Sequence, residues 1–195
     1  MKITRFATQF TYPMAGVLVL MCALPSRALA QSEHAHALSA ADRGNASGLI
    51  NVVRESTERF KNVDVAEAEG YSSQFGCVSG DYSGAMGMHF VKFPFVFDGE
   101  LDATRPEIVI SEPMPNGQLR LIGADYLVLA DAWHAKNDGP PQIMGQLLHL
   151  FESPNRFGLP PFYTLHVWAW KKNPTGAFVN WHSNVSCEAF SGQVQ

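Results

Sequence analysis

Residues 107–130 have the sequence EIVISEPMPNGQLRLIGADYLVLA, in which two apolar segments flank a short connection. Branched and aromatic side chains are frequent in both segments, a composition typical of β-strands. The connection contains Asn116-Gly117, the dipeptide most strongly associated with a tight β-hairpin turn. These residues therefore predict two antiparallel strands joined by a hairpin, and an antiparallel sheet around them.

Further segments on both sides of the hairpin have the composition of strands. They are residues 85–91, 143–151, 163–170 and 177–181, and Asn173-Pro174-Thr175-Gly176 forms a turn before the last of them. The glycine-rich residues 76–84 are interpreted as loops, and residues 143–151 as a strand or a short helix. Short strands joined by tight turns predict an antiparallel sheet of about five or six strands, open or curled toward a barrel.

An amphipathic helix precedes the predicted sheet. Apolar residues recur with a period near 3.6 and charged residues lie between them; the apolar positions are Leu49, Val52, Val53, Phe60 and Val63. A helix with one apolar side is expected to pack across an apolar sheet. The prediction is an α+β fold, with an N-terminal amphipathic helix packed on a curved antiparallel β-sheet, formed by residues 39–195 as a single globular domain.

The first 30 residues have the pattern of a secretory signal peptide. Lys2 and Arg5 precede the apolar residues 12–24, and Ala28-Leu29-Ala30 supplies the small residues that a signal peptidase recognises. The apolar run is shorter than the roughly 20 residues that a membrane-spanning helix needs, and no later segment approaches that length. We therefore predict a signal peptide at residues 1–30, a flexible tail at residues 31–38, no membrane span, and a secreted or periplasmic location.

Charge and cysteine content narrow the class of protein further. The chain has 14 Lys and Arg against 18 Asp and Glu, and removal of the leader would remove basic residues only. A basic surface for nucleic acid or for an anionic membrane is therefore not expected.

The cysteines indicate a disulfide. Cys22 lies in the leader, whereas Cys77 and Cys187 remain. In an oxidising compartment this pair is predicted to form a disulfide, with free thiols or metal thiolates as the alternative.

Three polar residues in apolar surroundings are candidate metal ligands. Asp125 lies in a row of leucines on its predicted strand, His166 lies on one face of another strand, and His89 follows Met86-Gly87-Met88. A buried carboxylate must be paired, protonated or bound to a cation. His89, Asp125 and His166 therefore form a predicted site for Zn, Cu or Fe, with Glu112 as a fourth ligand or a catalytic proton acceptor.

Other interpretations of the same residues remain open. Asp125 could cap a turn or pair with Arg105 or Arg156, and both histidines could be structural residues of the core. His34-Ala35-His36 in the tail could bind a stray metal ion. The sequence contains no GxSxG elbow, Walker loop or strand-linked GxGxxG motif, so whether the protein is an enzyme stays open.

The aromatic residues suggest a different class of function. Large aromatic side chains on neighbouring strands can form a face for a small apolar or sugar-like ligand; here they are Tyr163, Trp168, Trp170, Phe178 and Trp181. The first hypothesis is thus a secreted or periplasmic metal-binding protein. The alternatives are a non-catalytic envelope binding module that holds a small molecule on this aromatic face, and a structural envelope protein. No oligomeric state follows from the sequence.

Three ordered groups of motifs resemble an uncharacterised family of small secreted bacterial proteins. They are GCVSG (76–80) with GMHFV (87–91); LD (101–102), RPE (105–107) and EP (112–113) with LRLIG (119–123); and SPNRFGLP (153–160) with LHVWAW (165–170). The resemblance covers most of residues 71–187 and implies export and a bacterial envelope location, without an established activity. In that pattern a glutamate commonly stands at position 125 and another acid at position 164. Asp125 keeps the carboxylate with a shorter reach, whereas Thr164 removes a charged neighbour of His166.

Overall fold

The computed structural model of the chain describes residues 40–195. The predicted signal peptide (1–30), the predicted tail (31–38) and Cys22 lie outside the described residues. Helices in the described range are α1 (Ala40–Thr57), α2 (Val63–Ala68), α3 (Phe93–Val96) and α4 (Ala130–His134), with a 3-10 turn at Glu58–Lys61. Within this range, no helix combines the length and the hydropathy needed to cross a bilayer.

The described residues form eight strands, and the two strands of the central hairpin begin and end within one residue of their predicted positions. They are β1 (Ser72–Gly80), β2 (Gly84–Val91), β3 (Ile108–Pro113), β4 (Leu119–Leu129), β5 (Gln142–Ile143), β6 (Gln146–Leu147), β7 (His149–Phe151) and β8 (Phe162–Val167). β3 and β4 form the predicted antiparallel hairpin, in which Ile108 lies opposite Asp125. The short strands β5 and β6 form a separate two-stranded ribbon.

Six strands form one antiparallel sheet that curls strongly into a half-barrel. The order across the sheet is β1-β2-β3-β4-β8-β7. Consecutive antiparallel pairs build its first four strands, and β8 then pairs with β4. The prediction of an α+β fold with a curved antiparallel sheet is therefore confirmed.

The interpretation of residues 76–80 as a loop is wrong, because these residues belong to β1. The pairing of β1 with β2 contains a bulge between Gln74 and Cys77. Phe75 and Gly76, inside the bulge, have φ angles of 66° and 65°. A bulge accommodates extra residues in unusual conformations without ending the strand. The glycine-rich segment therefore forms a bulged strand and not a loop.

The predicted strand at residues 177–181 does not form. The Trp168 indole N–H donates to the carbonyl oxygen of Val179 (2.6 Å), and the Asn173 amide donates to that of Trp181 (2.8 Å). These side-chain donors occupy acceptors that a strand partner would otherwise use.

Residues 143–151 do not form one continuous strand or helix. Met144 and Gly145 both have positive φ angles and form the tight turn between β5 and β6.

The two faces of β4 and β8 contribute to two separate apolar clusters. One cluster includes Leu49, Val53, Ala124, Tyr126, Leu165 and Val167. The other is larger and includes Ile108, Leu127, Phe162 and Trp168. Because side chains alternate along a strand, Asp125 and His166 share the face of the second cluster. The polar site is therefore built into the larger apolar core.

A disulfide joins Cys77 of β1 to Cys187, which is 110 residues further along the chain. The predicted cysteine pair is thus confirmed. Nearby, the Cys77 N–H donates to the carbonyl oxygen of Gln193 (3.1 Å), and the Gln195 N–H donates to that of Cys77 (2.9 Å). Since β1 is the outermost strand on its side of the sheet, these bonds cover its outer edge.

Candidate metal centre

The curl of the sheet brings His89 and His166 together. His89 lies on β2 and His166 on β8, with β3 and β4 between these strands. At about 4.8 Å per strand, a flat sheet would separate the backbones of the two histidines by roughly 14 Å. Their Nε2 atoms are 3.4 Å apart. Asp125 completes the group, because it lies directly opposite His166 in the pairing of β4 with β8.

The spacing of the donor atoms matches a tetrahedral metal ion. Two nitrogens that bind one ion at about 2.05 Å and at a tetrahedral angle lie about 3.4 Å apart. The two Nε2 atoms of His89 and His166 have this separation, 3.4 Å. One donor atom from each of His89, Asp125 and His166 lies within 4.8 Å of the other two. The group could therefore hold a metal ion after limited movement.

Hydrogen bonds orient His89 and Asp125. His89 Nδ1 lies 3.2 Å from the carbonyl oxygen of Gly87. Because a carbonyl only accepts, Nδ1 carries the proton and Nε2 keeps its lone pair. Metal-ligating histidines usually make this outer hydrogen bond. Asp125 Oδ1 accepts hydrogen bonds from the Thr164 hydroxyl (2.6 Å) and the Leu165 N–H (3.1 Å), which fix the carboxylate beside His166.

The third donor, His166, is not fully paired. Its Nδ1 atom is buried without a hydrogen-bond partner and lies 3.7 Å from Asp125 Oδ1, beyond normal hydrogen-bond distance. Asn180 is its neighbouring polar side chain: an interaction with Asn180 acts to raise the pKa of His166, although the buried Asn180 side-chain oxygen makes no hydrogen bond of normal geometry. A buried polar atom without a partner costs about 1–3 kcal/mol. The group thus retains polar atoms that a further partner could satisfy.

Burial determines the protonation of the three side chains. The exposed fractions of His89, Asp125 and His166 are 5%, 2% and 3%. Burial lowers the pKa of His89 to about 4 and the pKa of His166 to about 3, and it raises the pKa of Asp125 to about 6. Both imidazoles are therefore neutral at pH 7, the state in which histidine binds a metal, whereas burial opposes ionisation of the Asp125 carboxyl until a cation is bound.

A cavity of about 30 Å³ adjoins the three donors. A polar cavity larger than about 10–15 Å³ has room for a water molecule, so this one can hold at least one. Thr164 contributes to the polar part of the wall, and the remainder is apolar with Phe75, Phe151, Phe157 and Phe162 prominent in it. Such surroundings lower the local dielectric constant and strengthen the interaction of a charge with its ligands.

Glu112, the predicted fourth ligand or proton acceptor, lies outside the group formed by the three donors. Its carboxylate contacts Arg120, and Lys171 Nζ lies 2.7 Å from its Oε1 atom. Partial burial acts to raise the pKa of Glu112, but hydrogen bonds from Lys171 and Arg120 outweigh it and hold the pKa below its usual range. The structure therefore places Glu112 in a separate ionic cluster.

The arginines considered as partners of Asp125 contact other residues. Arg105 Nη2 lies 3.3 Å from Asp98 Oδ2. The Arg156 guanidinium lies 5.7 Å from the ring centroid of Trp181. The hydrogen-bond donors to Asp125 are instead Thr164 and Leu165.

The contact of Thr164 with Asp125 and the position of Asn180 were not predicted from the sequence. Thr164 lies on the same face of its strand as His166, because the two residues are two positions apart. This alternation could have indicated that Thr164 lies close to Asp125. Asn180, which interacts with the His166 side chain, lies in residues 177–181, and no pattern in the sequence indicates this contact.

The residues of the predicted aromatic ligand face are divided between the two apolar clusters. Trp168 belongs to the larger cluster and Tyr163 to the other. The indole N–H of Trp168 donates to Val179, and that of Trp170 donates to the Thr57 hydroxyl (3.0 Å). The structure does show an aromatic surface, but it consists of the phenylalanines that line the cavity.

A second buried carboxyl, Glu107, lies outside the metal group. It is 0% exposed, its Oε2 accepts a hydrogen bond from the Leu127 N–H (3.1 Å), and its Oε1 has no partner. Burial raises the pKa of Glu107 from 4.5 to about 9; backbone hydrogen bonds oppose this, and the charges of Asp125 and Asp98 add to it. The carboxyl is therefore protonated in the folded protein at neutral pH.

Glu107→Gln should make the protein more resistant to alkaline unfolding. Between about pH 4.5 and pH 9 the folded chain holds a proton on Glu107 that the unfolded chain has lost. The free energy of unfolding must therefore fall as the pH rises through this window. Glutamine stays neutral and can still accept from Leu127, so the excess stability of the variant should grow from pH 5 to pH 9. Urea unfolding at pH 5, 7 and 9 measures this difference.

The matched control for this prediction is Glu67→Gln, because Glu67 is exposed on α2. Its stability should follow that of the wild type at each pH. A Glu107→Gln variant whose stability also runs parallel to the wild type would contradict a protonated Glu107.

The donor set of the site consists of two neutral imidazoles and one carboxylate, which suits Zn²⁺, Fe²⁺ or Cu²⁺. Comparison with family models, curated proteins and solved structures found no match to this chain. The arrangement of side chains therefore carries the functional argument alone.

Proposed function

We propose that this protein is exported and binds one divalent transition-metal ion, Zn, Cu or Fe, through His89, Asp125 and His166. The observation that supports the proposal best is the convergence of three donor atoms, from three strands, to within 4.8 Å of one another. All three side chains are buried, and polar side chains rarely converge inside an apolar core without a shared partner.

A metal ion would give the ring nitrogens of His89 and His166 a consistent set of partners. Neutral His89 presents a lone pair at Nε2 toward His166 Nε2, 3.4 Å away. If His166 donates across this distance, its Nδ1 atom carries no proton and has no hydrogen bond. With an ion between the two Nε2 atoms, Nδ1 of His166 would carry a proton and could donate to the side-chain oxygen of Asn180, which is itself unpaired.

Three protein ligands would leave one coordination position for water or a small ligand, as in catalytic zinc sites. A bound ion in such a position polarises an oxygen atom or lowers the pKa of a bound water. Thr164 would hold the Asp125 carboxylate in place through its 2.6 Å hydrogen bond. Glu112 is held by Lys171 and Arg120, so we assign it no role at this position.

Export to the periplasm or the cell exterior forms the second part of the proposal. The sequence pattern of residues 1–30 supports it. The Cys77–Cys187 disulfide is compatible with an oxidising compartment. The resemblance to small secreted bacterial proteins is in keeping with the same location.

Cobalt titration of the metal-free protein tests the metal site. We expect one Co²⁺ ion per chain, with the intense visible absorption of a four-coordinate site, and displacement by Zn²⁺. Zinc at 100 times its Kd should stabilise the fold by about 2.7 kcal/mol, which thermal unfolding would detect. A His34→Ala/His36→Ala variant controls for the tail, and should bind the same single ion.

The opposite result would favour the alternative functions. Failure to bind Co²⁺ or Zn²⁺, together with an unchanged Tm in their presence, would contradict the metal site. The non-catalytic binding module and the structural envelope protein would then be the remaining hypotheses.

A further inference from the structure

A second cavity lies next to the metal group. Its volume is about 180 Å³, and every residue that lines it is apolar. Four residues line both this cavity and the smaller one at the donors: Phe75, Ile108, Leu127 and Leu159. We call the larger space the apolar cavity. It therefore adjoins the space beside His89, Asp125 and His166.

The size and lining of the apolar cavity restrict what it can hold. A cavity of about 150 Å³ lined by aliphatic and aromatic side chains binds benzene, so about 180 Å³ suits a single ring or a short branched chain. A sugar would lose its hydrogen bonds to water without finding partners on these walls. The lining therefore favours a compact apolar body.

Phe75 occupies a strained position in the wall between the two cavities. Its φ angle of 66° is unfavourable for a bulky residue and rare outside sites where the surrounding structure imposes it. The β1 bulge produces this conformation and directs the ring into both linings. Phe157, which lines the metal cavity, contacts the Phe75 ring edge-on at 5.3 Å. The Phe75 side chain thus borders both cavities.

The apolar cavity reaches the protein surface at the end of α3. Phe97 lines the cavity and is 58% exposed. Its ring stacks on that of Phe93, another lining residue, at 5.8 Å. A ligand could therefore enter the apolar cavity beside Phe93 and Phe97.

We propose that the apolar cavity and the metal group together bind one small molecule with an apolar body about the size of a single ring and one oxygen donor. The body lies in the apolar cavity, and the donor reaches past Phe75 toward the open coordination position. The assignment of the donor rests on the proposed metal site, whereas the assignment of the body does not. Phenol represents this class, and benzene represents the body alone.

Calorimetric titration of phenol and benzene into the zinc-loaded protein tests the inference. We expect both to bind, phenol at least tenfold more tightly, and this advantage to disappear when zinc is removed. Leu129→Phe fills part of the apolar cavity without touching the donors, and should weaken benzene binding at least tenfold. Leu119→Phe is the matched control, because Leu119 is also half-buried on β4 but lines neither cavity.

A measurement on the wild type does not depend on the folding of a variant. Addition of benzene should shift the methyl NMR signals of Leu127 and Leu129 and leave those of Leu119 unchanged. Absence of these shifts, or equal benzene affinity in the two variants, would overturn the inference. Equal affinity of phenol and benzene for the zinc-loaded protein would overturn the placement of the donor. Failure of the metal site itself is recognised separately, by the absence of cobalt binding.

Discussion

His166→Ala is expected to abolish stoichiometric cobalt binding and to lower the metal affinity at least about 100-fold. Changes to residues that only orient a ligand commonly reduce metal affinity by 10–100-fold, and the loss of a ligand should exceed that range. His166 offers the nitrogen that lies 3.4 Å from His89 Nε2, so its removal leaves two donors. Cobalt absorption and competition with a chelator of known affinity measure the change.

The control must also remove a buried imidazole, because the loss of a core side chain destabilises the fold by itself. His182 is 0% exposed and packs edge-on against Trp168 at 5.0 Å, but it is not one of the donors. His182→Ala should therefore keep the cobalt spectrum even if its Tm falls. If His166→Ala binds cobalt as tightly as His182→Ala, the assignment of the site is wrong.

Asp125→Asn provides a milder test of the same site. The asparagine oxygen can still accept hydrogen bonds from Thr164 and Leu165, which now contact Asp125 Oδ1. The variant should therefore fold, while the loss of the negative charge weakens metal binding. An unchanged affinity would show that the carboxylate is not a ligand.

Replacement of Cys77 and Cys187 together by alanine should lower the free energy of unfolding by about 4–5 kcal/mol, on the chain-entropy estimate for a loop of about 100 residues. The two cysteines are 110 residues apart, so their bond removes much conformational freedom from the unfolded chain. Since whole domains are stable by only about 5–15 kcal/mol, this is a large fraction of the total. Guanidinium unfolding of the variant and the wild type measures it.

Reduction of the wild type provides the matched control for the double substitution. A reductant should destabilise the wild type by nearly the same amount and leave the alanine variant unchanged. If the free energies of unfolding of the alanine variant and the wild type differ by less than about 1 kcal/mol, the unfolded chain is compact without the disulfide and the chain-entropy estimate is wrong.

The central hairpin and the alternation along its strands could be predicted from the sequence. Asn116-Gly117 indicated the turn, and period 2 correctly placed Asp125 and His166 away from Tyr126 and Leu165. These features are local, because they depend on residues that are near each other in the chain. The cysteine pair could be predicted for a simpler reason, since no other partner remained after the leader was set aside.

The contact between His89 and His166 could not be derived in the same way. It depends on how strongly the sheet curls, and curl results from the twist and the bulges of several strands together. The bulge at Phe75 and Gly76 could not be predicted from the sequence, because glycine-rich segments also occur in loops. The position of Glu112 relative to the donors could not be derived either. It lies at the far end of β3 opposite Arg120, and its distance from the donors depends on the whole sheet.

The ends of the sheet have a consequence for how copies of this protein can associate. Open antiparallel sheets are prone to polymerise when a strand of one molecule adds to a bare border of the next. Here the backbone N–H groups of Cys77 and Ser79 already donate to Gln193 (3.1 Å) and Gln195 (2.7 Å). The opposite border, β7, offers only the short segment His149–Phe151. Fibril-like growth is therefore disfavoured while the chain remains folded, and reduction of the disulfide would increase it by loosening the segment that caps β1.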